Sequence, residues 1–208
     1  MERLVSEGLV YMNTLEYFAK LEADSVRGDE NEGVGHLLQH HDVRIGVKEK
    51  VEDKWMPIGP LAGPIKFRNR DWIVPNVYCM YGLRASVASA LVDPRNFTFG
   101  DTFVLFKEGD EFIRRAKQAA LAAGHTLRCH MVEYINENVY NGPMGPFRKY
   151  STFSYQSEVR FALTPGTGAP YPLQLGDLAD IVALTGSLAE VNKHLKIFHD
   201  TDAEGVPA

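Results

Sequence analysis

In the stretch YQSEVRFAL, Gln156, Glu158 and Arg160 stand at i, i+2 and i+4. On a strand that spacing puts an amide, a carboxylate and a guanidinium on one face, with Val159, Phe161 and Leu163 on the other. A fixed carboxylate can offset positive charge that develops in a transition state, and an amide can orient a nucleophile without itself ionising. The same stripe is also ordinary for a wet sheet face carrying a Glu158–Arg160 or cross-strand ion pair. Its setting favours a functional reading. It follows the long segment NENVYNGPMGPFRKYSTFSY, with its glycine–proline breaks and run of hydroxyls, and such a loop can close over a groove on a sheet.

Two further clusters carry weaker signals. RGDENEG (Arg27 to Gly33) sets one cation and three acids between glycines, which is normal for a solvated loop. In a functional reading Arg27, Asp29 or Glu32 holds a polar ligand, though neither GxxxxGK[ST] nor GxGxxG is present. His36, His40 and His41 lie in GHLLQHHD, where His36 and His40 would share a face of a helix at i, i+4. Zinc sites use that spacing with further ligands, and no HExxH glutamate stands between these two. The preferred reading is polar residues at the entry to a strand, with no metal. Cys79 and Cys129 lie in apolar strand-like runs, far apart and outside any CxxC motif, as buried free thiols do.

The elements that would position these groups follow from periodicity. Gly8 to Thr14 reads as a strand running into a helix at LEYFAKLE, with Thr14 as its N-cap. VRIGVKEKV, KWMPI and IKFRN read as short strands of an antiparallel meander, and VYCMYGL after Pro75 as a buried central strand. Residues 85–92 fit either a short helix or an irregular segment. TFVLFKE is a strand, GDEFIRRAKQAALAAG a helix capped by Asp110 and Gly124, TLRCHMVEYI a strand and SEVRFAL another. LGDLADIVALTG ends in a strand, and SLAEVNKHLKIF reads as a last helix capped by Ser187. Helices are too few to cross over between every pair of strands. The class expected is α+β, with a curved, mixed and mostly antiparallel sheet and a few flanking helices.

Composition sets outer limits. The chain has 208 residues, 45% of them apolar and 24% charged, with a net charge of −5, which fits one globular domain spanning 1–208 with flexible ends at 1–7 and 199–208. The acidity excludes coating of duplex DNA or an anionic membrane by bulk charge and leaves room for a local basic patch. No apolar run approaches the ~20 residues of a membrane span, and MERLVSEGLVYMNT lacks a basic n-region and an apolar h-region, so a cytoplasmic protein is expected.

Taken in order, NTLEYFAKLEADSVRGDENEG, VYCMYGL and YQSEVRF resemble a broad set of uncharacterised bacterial and phage proteins whose fold is related to that of ADP-ribosyltransferases. The likeness spreads over most of residues 8–163 through short, degenerate motifs. It implies an ADP-ribosyltransferase-like fold, NAD as substrate and a macromolecular acceptor, protein or nucleic acid, in a toxin or phage–host conflict setting. It implies that Glu158 stabilises the cationic ribose as nicotinamide leaves and that Gln156 faces the acceptor. Tyr11, Asn13, Thr14, Arg27 and Asp29 would then help to hold NAD. The sequence departs from the family on the first strand, where GLVYMNT carries neither the arginine nor the histidine of the known branches. Ser151, Thr152 and Ser154 lie too close to Gln156 to serve as the separate serine–threonine–serine strand. Two other classes therefore stay open: a non-enzymatic binding module for a nucleotide, nucleic acid or protein, and a metal-dependent hydrolase built on the histidines with Asp29 or Glu32.

Overall fold

The structure, a computed structural model, describes residues 2–20, 31–49, 53–68, 75–83 and 91–196. Glu2–Ser6, expected as part of a flexible end, form a short helix α1, followed by strand β1 (Leu9–Thr14) and helix α2 (Leu15–Lys20). Thr14 Oγ1 accepts from the backbone N–H of Tyr17 at 3.1 Å and so caps α2. Four short strands come next: β2 (His36–Leu38), β3 (Gly46–Lys48), β4 (Trp55–Pro57) and β5 (Ile65–Phe67). After them run β6 (Asn76–Tyr81), β7 (Thr102–Phe106), the long helix α3 (Gly109–Ala122) and β8 (Thr126–Met131). The C-terminal half adds β9 (Glu133–Ile135), β10 (Gly142–Pro143), β11 (Arg148–Tyr150), β12 (Glu158–Thr164), β13 (Tyr171–Gln174) and β14 (Val182–Ser187).

The main sheet has the order β13-β1-β6-β12-β8, and every pairing in it is antiparallel. Small sheets surround it: β10-β2-β5, the β3–β4 hairpin, the antiparallel pair β7–β14 from distant stretches of chain, and the parallel pair β9–β11. Among the described residues the architecture is α+β, mostly antiparallel, with few helices.

One face of the main sheet is the core. Val10 and Met12 of β1, Leu127 of β8, Phe161 and Leu163 of β12 and Leu173 of β13 pack on Phe112, Ala116 and Ala120 of α3. The small alanines let α3 lie close, and Phe112 meets Phe161 edge-on with ring centroids 5.7 Å apart. Fully burying each large side chain of this kind stabilises by ~1.5–3 kcal/mol, so this layer anchors the fold. Glu108 occupies the N-cap of α3 with no side-chain bond, while Asp110, expected as the cap, lies in the first turn beside Glu111, where carboxylates favour the helix dipole. Gly124 follows the helix with φ +81°, the left-handed stop that glycine permits.

The sheet opens on one side. β1 meets β6 only through Asn13↔Val77 and Thr14↔Asn76, whereas Leu9–Met12 pair with β13 on the other edge. Beyond Val77, the edge of β6 that faces β1 has no strand partner among the described residues. Asn76 pins the junction: its Nδ2 donates to the carbonyls of Met12 (3.2 Å) and Ala169 (2.7 Å), and its Oδ1 accepts from the N–H of Thr167 (2.8 Å).

Several elements differ from the sequence reading. The strand expected over TLRCHMVEYI breaks at Val132, whose N–H bonds the carbonyl of Glu158, so β8 and β9 serve different sheets. β13 carried no readable pattern: Pro172 interrupts it, and only Leu173 is buried. Leu188–Lys193 form a 3-10 turn instead of the expected helix, and the Ser187 side chain makes no cap bond. Asn192 explains the arrest, because its amide exchanges bonds with both the N–H (2.9 Å) and the carbonyl (2.8 Å) of Val92. The tail at 199–208 and most of 85–92 lie outside the described residues.

Candidate active site

The face of the main sheet opposite α3 holds a buried ion-pair cluster. Along β12, Glu158 lies opposite Tyr81 and Arg160 opposite Cys79 of β6, so these four share that face. Arg160 is only 1% exposed, and a guanidinium buried so deeply must have all its donors engaged. Its Nη1 donates to Glu32 Oε2 (3.1 Å) and to the carbonyl of Pro146 (2.7 Å), and its Nη2 to Glu32 Oε1 (2.7 Å) and Glu158 Oε2 (2.8 Å). Its Nε donates to Glu158 Oε2 at 3.2 Å. All five N–H groups are thereby used.

Lys149 completes the cluster from β11. Its ammonium, also buried, donates to Glu158 Oε1 at 2.7 Å and Gln156 Oε1 at 2.8 Å, and lies 3.6 Å from Glu32 Oε1. Since an ammonium can only donate, the carbonyl side of the Gln156 amide is the one turned to it. Glu32 stands in the turn at residues 31–33, where Arg68 Nη1 also donates to its carbonyl at 2.7 Å. Two cations and two carboxylates thus neutralise one another within a buried volume.

Gln156 reaches the cluster by a route the strand reading did not contain. It ends the 3-10 turn Ser151–Gln156, and Ser157 then takes a left-handed conformation (φ 42°, ψ 48°) before β12 begins. A non-glycine residue held there costs ~1–3 kcal/mol. Hydrogen bonds support it: Ser157 Oγ donates to the Gly82 carbonyl (2.8 Å), and the Gly82 N–H donates to the Ser157 carbonyl (2.7 Å).

Burial alone would push the carboxyl of Glu158 upward in pKa, but Arg160 and Lys149 outweigh it and hold the group at about 2. Lys149 is raised, because Glu158 and Glu32 overcome its desolvation. Desolvation also pushes the Cys79 thiol up to about 12, with the Glu158 charge adding to the effect. At neutral pH the site holds an ionised carboxylate beside a protonated thiol.

A cavity of about 550 Å³ opens against this cluster. Lys149, Gln156, Glu158, Arg160 and Asn96 line its polar end, and Phe18, Tyr78, Tyr81, Phe99, Phe103 and Phe106 line much of the rest. It lies along the unpartnered stretch of β6 and reaches α1 at Leu4. Asn96 ties its walls together, donating to the carbonyls of Asp93 (3.1 Å) and Tyr155 (2.8 Å).

Of the residues singled out in the sequence, Gln156, Glu158, Arg160 and Cys79 line this cavity. Tyr11 is 55% exposed, Asn13 and Thr14 are partly buried, and none of the three lines it. Arg27 and Asp29 lie outside the described residues. Lys149 carried no sequence signal, because its partners come from two separate stretches of chain, the turn at 31–33 and residues 156–158. Glu32 was visible as one acid in a loop, and nothing local distinguished it from a solvated one. His36 sits on β2 edge-on to Phe67, and His40 and His41 also meet edge-on. Among the described residues no three His, Cys, Asp or Glu side chains converge as metal ligands do. Both cysteines are free and partly buried. No described helix is long and apolar enough to cross a membrane. No family model, no curated protein and no solved structure matches this chain.

Proposed function

We propose that this chain is an NAD-dependent ADP-ribosyltransferase-like enzyme that modifies a macromolecule, in a toxin or phage–host conflict setting. The observation that carries the reading is the ionised carboxylate of Glu158, fixed at the polar end of an aromatic cavity. In such a reaction the bond from ribose C1′ to the nicotinamide nitrogen breaks, and its electron pair leaves with nicotinamide. The ribose then carries oxocarbenium character, which a preorganised carboxylate offsets without reorganising at the moment of reaction. Glu158 Oε1 accepts one bond, from Lys149, and so retains a lone pair for the ribose. Phe99, Phe103 and Tyr81 supply flat apolar surface for a pyridine ring. A nucleophile of the acceptor attacks C1′ and loses its proton to solvent, with the Gln156 amide beside Glu158 orienting it.

A second reading, a non-enzymatic binding module, is favoured by one specific observation. The described cations that line the cavity, Lys149 and Arg160, are committed to Glu32 and Glu158, so neither is spare for a diphosphate. A neutral aromatic ligand suits such a cavity. Differential scanning fluorimetry with NAD, followed by a nicotinamide-release assay, separates the two. A melting shift with release supports the transferase, and a shift without release supports the module.

A further inference from the structure

The segment from Val43 to Arg68 stands apart from the rest of the chain in charge and exposure. It holds six Lys and Arg against three Asp and Glu, in a chain whose net charge is −5. It also exposes Ile45, Val47, Trp55, Met56, Ile58 and Phe67, with Trp55 at 70% the barest of them. All but Phe67 lie on one two-stranded ribbon, and large apolar side chains exposed in that number point to an interaction there.

The β3–β4 hairpin organises the patch. Gly46↔Pro57, Val47↔Met56 and Lys48↔Trp55 pair across it, and bonds from the N–H of Ile58 to the Ile45 carbonyl (2.7 Å) and of Glu49 to the Lys54 carbonyl (2.8 Å) lengthen it at both ends. Alternation then places Ile45, Val47, Met56 and Ile58 on one face, and Lys48 with Trp55 on the other. The Trp55 ring lies over Gly46, where an added Cβ would stand 3.3 Å from its Cε3. Arg44 flanks this second face. The Lys48–Asp53 pair (2.5 Å) is solvent-exposed, so Lys48 can exchange that partner for another anion at little cost.

We propose that this ribbon is a docking surface for single-stranded nucleic acid, with an unpaired base stacked on Trp55 and the phosphates beside Arg44 and Lys48. An exposed indole flanked by cations is the arrangement that binds single strands without reading their sequence. The exposed Arg44 and Lys48 complement the phosphates of a polyanion. The inference stands independently of the cavity and its chemistry.

The test is fluorescence anisotropy of labelled 20-nucleotide DNA and RNA oligomers, together with quenching of tryptophan emission in a Trp72→Phe background that leaves Trp55 as the sole reporter. Binding should quench Trp55 and weaken as salt rises. Trp55→Ala should weaken it about tenfold. Trp55→Phe should restore most of it, and Arg44→Glu with Lys48→Glu should abolish it. These positions are exposed, so matching melting curves verify the fold. Three outcomes overturn the proposal: no binding at physiological salt, binding indifferent to these substitutions, or a Trp55-dependent response only to anionic vesicles or to protein concentration.

Discussion

Arg160 grips Glu32, 128 residues earlier in the chain, through two hydrogen bonds of 3.1 and 2.7 Å, with both side chains almost wholly buried. This contact fastens the turn at 31–33 to the central strand β12 and brings Glu32 within reach of Lys149. The sequence reading of the stripe as a wet face predicts an exposed pair worth ~0–1 kcal/mol. Burial changes that expectation. Glu32→Gln should destabilise the protein by about 3 kcal/mol, because it leaves a buried guanidinium short of its counter-charge. Urea unfolding measures this, and a loss below about 0.5 kcal/mol would show the cluster to be wetter than described.

The pH dependence follows from Glu158. Its carboxyl is lowered from 4.5 to about 2 in the fold, so the folded state favours the ionised form. The stabilisation is therefore complete above the unfolded value near 4.5 and disappears as pH falls from there toward 2. Urea midpoints of the native protein and of Glu158→Gln should differ most at neutral pH and converge below pH 4. A gap that stays constant across that window would place the origin of the effect elsewhere.

How much of this was legible beforehand depends on the range of the interaction. β1, α2, α3 and β12 were readable because apolar side chains recur at the period of one face, as Val10 and Met12 do against α3, and β6 because it is one continuous apolar run. The face of β12 that carries Glu158 and Arg160 was readable for the same reason. What that face meets was not. Lys149 and Glu32 arrive from a parallel two-stranded piece and from a turn, through contacts with no local period. Ser157 likewise departs from the strand pattern because Gly82 and Ser154 hold it, and nothing in YQSEVRF marks a left-handed residue.

Gly8 and Gly176 meet at the start of β1, and the structure leaves no space there for a side chain. A Cβ on Gly8 would stand 2.0 Å from the Gly176 carbonyl oxygen, at a φ of +62°. Gly8→Ala should cost about 3 kcal/mol or more, since backbone and not a flexible side chain blocks the way. Gly124→Ala, at φ +81° with open space around it, should cost only about 1 kcal/mol. Equal costs for the two would contradict the packing at the α1–β1 joint.

Cys79 offers a probe of the cavity it lines. Its thiol, raised to about 12 by burial, should react slowly with a maleimide at pH 8 under native conditions. Cys129 lies outside the cavity and should react faster. A ligand that fills the cavity should slow Cys79 further and leave Cys129 unchanged. Fast labelling of Cys79 that NAD does not affect would count against NAD occupying this cavity.

Release of nicotinamide from NAD, followed for the native protein, Glu158→Gln and Glu32→Gln, bears most directly on the proposed chemistry. Both substitutions break the buried cluster and lower stability, so rates are compared at a temperature where all three proteins remain folded by near-UV circular dichroism. Only Glu158→Gln removes the carboxylate assigned to the ribose. Release by the native protein is expected, with a loss of ~10²–10³ in rate for Glu158→Gln and a far smaller change for Glu32→Gln. No release by the native protein, or equal rates for it and Glu158→Gln, would contradict the assignment.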